Sequence, residues 1–152
     1  MDGTYSVSRV AQHGAGPEGL NATSGGRVSE NKRTIEQYID GFTKGDHEQV
    51  LSCLADDVEW EIPGAFHIAG KAAFDKEIEN PAFAGRPSIT TSRMTEEDDV
   101  VVAEGSVRTQ RVDGGFLNLR FCDVFVMRDG KIRQLISYLM EVKERTASER
   151  LV

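Results

Sequence analysis

Two Asp-Gly dipeptides, Asp113-Gly114 and Asp129-Gly130, divide the second half of the chain into runs that alternate apolar and polar residues. Asp-Gly between alternating runs marks a tight hairpin, because the turns that match strand twist need positive φ at their centre. Strands are therefore predicted over 88–94, 100–111, 116–127 and 131–142. The acidic run 96–99 reads as a solvated turn between the first two that also discourages edge-to-edge pairing. Strands joined by such short turns form an antiparallel meander, whose apolar face needs a cover.

The first half of the chain can supply that cover. Ile35, Tyr38, Ile39 and Phe42 recur at helical spacing, with Ser29 or Asn31 as N-cap and Gly45 as stop. Asp46 caps a second short helix with Val50, Leu51 and Leu54 on its apolar stripe. Residues 58–62 read as a strand with Trp60 and Ile62 on one face, broken by Pro63-Gly64. A third helix is predicted over 71–79, closed by Asn80-Pro81. Helices followed by an antiparallel sheet make an α+β domain, expected over 29–145. Residues 1–28 hold six of the fifteen glycines and few large apolar residues, so a flexible N-terminal tail is expected there. A short C-terminal tail is expected over 146–152.

Composition removes several function classes. Lys plus Arg number 18 against 25 for Asp plus Glu, a formal charge of −7, and no basic cluster offers a footprint for nucleic acid. No apolar run approaches the roughly 20 residues that span a bilayer, and no secretion signal is visible. Cys53 and Cys122 form no CxxC pair, which suits free thiols in a reducing, cytoplasmic setting. His13, His47 and His67 are scattered, so no metal site is expected.

Three stretches carry a family resemblance. They are residues 38–46 (YIDGFTKGD), residues 55–63 (ADDVEWEIP) followed by Gly70, and residues 122–132 (CDVFVMRDGKI) ending in Ser137-Tyr138. Together they resemble the nuclear transport factor 2-like superfamily, especially its ketosteroid isomerase and polyketide cyclase (SnoaL-like) branch, over roughly residues 30–142. The resemblance implies a cone-shaped α+β barrel, with three N-terminal helices packed in a curved antiparallel sheet around an apolar pocket. It also implies a homodimer through the outer face of the sheet, and no cofactor. The superfamily hosts isomerases, cyclases, dehydratases, epoxide hydrolases and non-catalytic proteins, so function rests on the site.

Ketosteroid isomerases hold a dienolate with a tyrosine and a protonated aspartic acid. By the resemblance, Tyr38 and Asp123 occupy those places. An enolate oxygen gains most from hydrogen bonds in a dry pocket, and burial keeps a carboxyl neutral. Phe121, Asp123 and Phe125 share one strand face by period two. The plainer alternatives are an Asp123 that braces the cone by accepting bonds from backbone N–H groups or an arginine, and a Tyr38 that is simply core.

The isomerase's proton-shuttling aspartate falls at Ile62, which cannot move a proton. His67, expected in the loop after Pro63-Gly64, is the candidate replacement base, or else an exposed loop histidine. Glu59 and Glu61 are expected to point outward. Trp60, Ile62, Phe42, Phe121, Leu139 and Arg108 are the candidate substrate-binding residues. Arg108 and Glu104 would turn outward with a one-residue slip, leaving Val101, Ala103 and Val107 on the inner face. The catalytic positions of the limonene epoxide hydrolase branch fall at Gly105, Val107 and Ser137, which cannot activate water. Two functions fit. One is a cofactor-free enzyme of isomerase, cyclase or dehydratase type that polarises a carbonyl or enolate oxygen of an apolar metabolite. The other is a non-catalytic ligand-binding or dimerisation module. A cavity above about 300 Å³ would separate a pocket from a plain core.

Overall fold

A computed structural model describes residues 28–143 of the chain. The tails expected at 1–28 and 146–152 therefore lie outside the described residues, apart from Val28.

Helix α1 spans Glu30–Lys44, and Ser29 is its N-cap, accepting the Lys32 N–H at 3.1 Å. The Ser29 hydroxyl and the Asn31 amide both donate to Glu96, which ties the helix start to the sheet. Gly45 ends the helix at φ 67°, a left-handed conformation that costs glycine little. Asp46 then caps α2 (His47–Ser52) by accepting the Gln49 N–H at 3.0 Å.

Strand β1 covers Leu54–Ile62 and starts four residues earlier than the alternation suggested. Leu54 belongs to this strand, not to a helical stripe. It pairs with Ile132 far along the chain, a partner that local periodicity cannot reveal. Pro63-Gly64 does not end the sheet there. Gly64 (φ 79°) turns the chain into β2 (Phe66–Ala69), which pairs antiparallel with β1. Helix α3 is shorter than expected, Lys71–Asp75, and unwinds into turns with Glu77 N–H donating to Phe74 O and Ile78 N–H to Asp75 O. Phe74 and Ile78 are both buried, so the apolar spacing outlasts the regular helix.

The meander follows as β3 (Phe83–Glu97), β4 (Val100–Arg111), β5 (Phe116–Arg128) and β6 (Lys131–Glu141). Asp129 and Gly130 both take positive φ, as the predicted hairpin requires. The early start of β3 comes with irregular pairing between Ala84 and Ser88, which breaks the alternation. Sheet order is β2-β1-β6-β5-β4-β3, antiparallel throughout except where β1 runs parallel to β6. The fold is a curved α+β cone, with the helices seated against the inner face of the sheet. Ile35 and Tyr38 of α1, Val50 and Phe74 meet Val58, Val101, Phe125, Ile132 and Leu135 in the buried core.

His47, at the start of α2, holds the third helix in place. Its Nδ1 lies 2.6 Å from Asp75 Oδ1 and its Nε2 lies 3.5 Å from Glu79 Oε2. The bond to Asp75 raises the imidazole pKa above its ordinary value, aided by Glu79. A raised histidine pKa gives stability that is fully present below about pH 6.5 and is lost as pH rises through the folded-state value. His47→Gln is therefore expected to lower the melting temperature at pH 6 and to leave it near wild type at pH 9. An equal loss at both pH values would show that the ring matters only for packing.

Candidate active site

The inner face of β5 carries Leu117, Leu119, Phe121 and Asp123 along one line, two residues apart. Val107 and Thr109 of β4, Ser137 and Leu139 of β6, and Trp60 of β1 flank them. Helix α1 adds Tyr38, Ile39 and Phe42 from above. These residues enclose a cavity of about 660 Å³, well inside the range of about 300–1,000 Å³ typical of small-molecule sites. The wall is mainly apolar. Polar groups sit in its depth (Asp123, Ser137, Tyr38) and along a rim formed by residues 77–87, which includes Glu77, Glu79 and Arg86.

Asp123 is the chemically unusual group. Its Oδ1 is shut off from solvent and has no hydrogen-bond partner among the described residues. Burial pushes its carboxyl up to about 6, and only the Ser137 hydroxyl bond pulls the other way. Among the described residues neither an arginine nor a backbone N–H bonds Oδ1. Tyr38 is 5% exposed and packs against the rings of Phe42, Phe125 and Phe74 at 5.5, 5.6 and 6.2 Å. Burial, then the charge of Asp123, then that of Cys53, hold its phenol well above 10. A neutral phenol and a readily protonated carboxyl thus face one apolar cavity, and each can donate a hydrogen bond to a ligand oxygen.

Six of the nine residues expected at the site line this cavity: Tyr38, Phe42, Trp60, Phe121, Asp123 and Leu139. Three do not. Ile62 shares the strand face of Trp60 but lies one step further on, paired with Phe66 outside the lining. His67 is not in a loop. It pairs with Glu61 in β2, is exposed, and has Nε2 3.4 Å from Glu59 Oε2, away from the face of Trp60. Arg108 points outward, its guanidinium 4.2 Å over the Phe116 ring, because Val107 and Thr109 take the inner positions of β4. Glu104 likewise pairs with Arg93 on the outer face.

The polar rim and the role of Ser137 escaped the sequence reading. Residues 77–87 carry no period, and their place at the mouth follows from the irregular start of β3. In the sequence Ser137 stood only at the end of the third motif and as a residue that cannot activate water. Its meaning comes from lying opposite Asp123 on the neighbouring strand, with its Oγ 3.1 Å from Trp60 Nε1.

The geometry agrees with what sequence and structure comparison find. A family model for the SnoaL-like domain matches residues 35–135. Among solved structures, TerC co-crystallised with polyporic acid is 25% identical, with a TM-score of 0.68 over 74% of this chain and 92% of its own. A candidate polyketide cyclase from Xanthomonas campestris pv. campestris is 24% identical, with a TM-score of 0.66 over 72% and 89% of the two chains. A candidate ketosteroid isomerase from Kribbella flavida is 21% identical, with a TM-score of 0.62 over 81% and 87%. No curated protein matches the chain in sequence. With two thirds of its length matched and the cone of its relatives in place, the chain belongs to the SnoaL-like domain family, on the nuclear transport factor 2-like fold.

Proposed function

We propose that the protein is a cofactor-free small-molecule enzyme, of isomerase, cyclase or dehydratase type, that polarises a carbonyl or enolate oxygen of an apolar metabolite. The observation that carries this reading is Asp123, a carboxyl with an unpartnered Oδ1 and a raised pKa at the edge of an apolar cavity. A protonated Asp123 and Tyr38 are the donors to the ligand oxygen, and Phe42, Trp60, Phe121 and Leu139 hold its apolar body. The polyporic acid complex of TerC supports a small-molecule occupant for a cavity of this kind.

A non-catalytic ligand-binding module is the second reading. It is favoured by the lack of a titratable side chain at position 62 and by the outward placement of His67, which leave the depth of the cavity without an obvious second base. Either way, a second copy of the chain is the proposed cover for the outer face of the sheet, where Tyr138 is 53% and Met140 71% exposed. Two unjoined thiols, Cys53 and Cys122, suit the cytoplasm.

The test is a titration with fluorescent phenols of graded acidity, since a phenolate oxygen imitates an enolate oxygen. Binding is expected to tighten as phenol acidity approaches that of Asp123, and to weaken about tenfold or more in Asp123→Asn. Binding indifferent to the substitution would remove Asp123 from the polarising role and leave the non-catalytic reading.

A further inference from the structure

Apart from Tyr38 and Cys53, two polar side chains are buried among the described residues, Ser137 at 3% and Thr109 at 8% exposed. Both line the cavity, and strand register sets them far apart along it. Ser137 pairs with Asp123, and Asp123 pairs with Ala103 of β4. Thr109 stands six residues beyond Ala103 on β4, opposite Leu117. At about 3.3 Å per residue, the two polar points lie about 20 Å apart along the sheet. The wall between them is apolar, with Val107, Leu119 and Phe121.

Thr109 does not stand alone at its end. β3 pairs Ala84 with Gln110 and Ser88 with Arg108, so residues 85–87 bulge opposite the single residue Thr109. Arg86 is the middle one and also lines the cavity. It makes no ion pair among the described residues. The two acids of the rim, Glu77 and Glu79, belong to the turns that follow α3. Glu79 is held toward the helices, its Oε2 3.5 Å from His47 Nε2 and its Oε1 3.2 Å from where a Cβ on Gly45 would lie. The mouth is therefore acidic on its helix side and basic on its sheet side. A guanidinium only donates hydrogen bonds and a threonine hydroxyl can donate one, so this pair selects an acceptor oxygen and favours a charged one.

We propose that Arg86 and Thr109 form a second polar subsite, at the outer end of the cavity, for an anionic oxygen. The ligand is then an elongate, apolar molecule with one oxygen at the Tyr38 and Ser137 end and an ionised acid, a carboxylate in the simplest case, at the other. This rests on the reading of the cavity as a small-molecule site, and it narrows the apolar metabolite to an amphipathic acid.

The probes are 4-hydroxyphenylalkanoic acids whose chains set the two oxygens from about 8 to about 20 Å apart, each beside its methyl ester and the amine of equal length, titrated by calorimetry. In wild type the long acids are expected to bind about tenfold more tightly than their esters, while the shortest acids show no preference. Arg86→Gln should abolish that preference, and Arg86 is exposed, so the fold does not depend on it. Thr109→Val should reduce the preference severalfold, and Thr109→Ser, which keeps the hydroxyl, should restore it. Acids and esters that bind alike at every length, tighter binding of the amines, or a preference that survives Arg86→Gln would each overturn the subsite. The phenol end is common to every probe, so the acid–ester difference reads the outer end alone. If Asp123→Asn leaves phenol binding unchanged while the acid–ester difference persists, the proposed function fails and the second subsite stands.

Discussion

Asp123→Asn is expected to make the protein more stable above pH 7 while it weakens ligand binding. Burial raises the carboxyl pKa from 3.8 to about 6, so the folded state holds its proton more tightly than the unfolded state does. The sign follows directly. Below the unfolded value both states are protonated and Asp123 costs nothing on this account. Between the two values the unfolded chain ionises first, and stability falls. Above about pH 6 the full penalty is present, about two pH units at about 1.4 kcal/mol each, or up to about 3 kcal/mol. Asparagine removes the charge but brings an amide with its own unmet bonds, so the net gain at pH 8 is expected at about 2 kcal/mol. Urea unfolding of both proteins at pH 4 and pH 8 checks this. Curves that converge at pH 4 and separate at pH 8 in favour of the variant are the expected result. A variant less stable at both pH values would mean that Asp123 braces the cone and is not an acid kept at a cost.

Gly105→Ala is expected to be among the most damaging single substitutions in the sheet. Glycine is needed there for space, since a Cβ would lie 2.1 Å from the Thr90 carbonyl oxygen and 2.6 Å from Phe121 Cζ. The oxygen belongs to the backbone of β3, so relief requires the edge strand to move. Overpacking of this kind costs about 3 kcal/mol, or about 10 °C in melting temperature for a domain of this size. Adding Phe121→Leu should recover only part of the loss, because it frees the ring contact but not the carbonyl. A Gly105→Ala protein that melts with wild type would show that β3 gives way freely.

The hairpins and caps were legible because their causes are local. Asp129-Gly130, Ser29, Gly45 and Asp46 act through φ preferences and short-range hydrogen bonds, and each stands where its residue type demands. The inner face of β5 was legible for the same reason, since Phe121, Asp123 and Phe125 keep a strict period of two. The misreadings lie where a partner is distant. Leu54 joins a strand because Ile132 is beside it, and Phe66–Ala69 is a strand because β1 lies alongside. Arg108 faces outward because the register of β4 with β5 pairs it with Asn118 and sets Val107 and Thr109 toward the cavity.

The sequence by itself pointed to the α+β class, the order of its main elements and two residues, Tyr38 and Asp123, that line the cavity. The class and element order follow from periodicity and turn chemistry, which are properties of neighbours along the chain; the two residues follow from what the family resemblance of three motifs implies. Only the tertiary structure decided that His67 and Ile62 stand outside the cavity, that the rim comes from residues 77–87, and that Ser137 accepts the Trp60 N–H while lying opposite Asp123. Strand register and sheet curvature bring those groups together or hold them apart, and both depend on pairings between residues far apart in the chain.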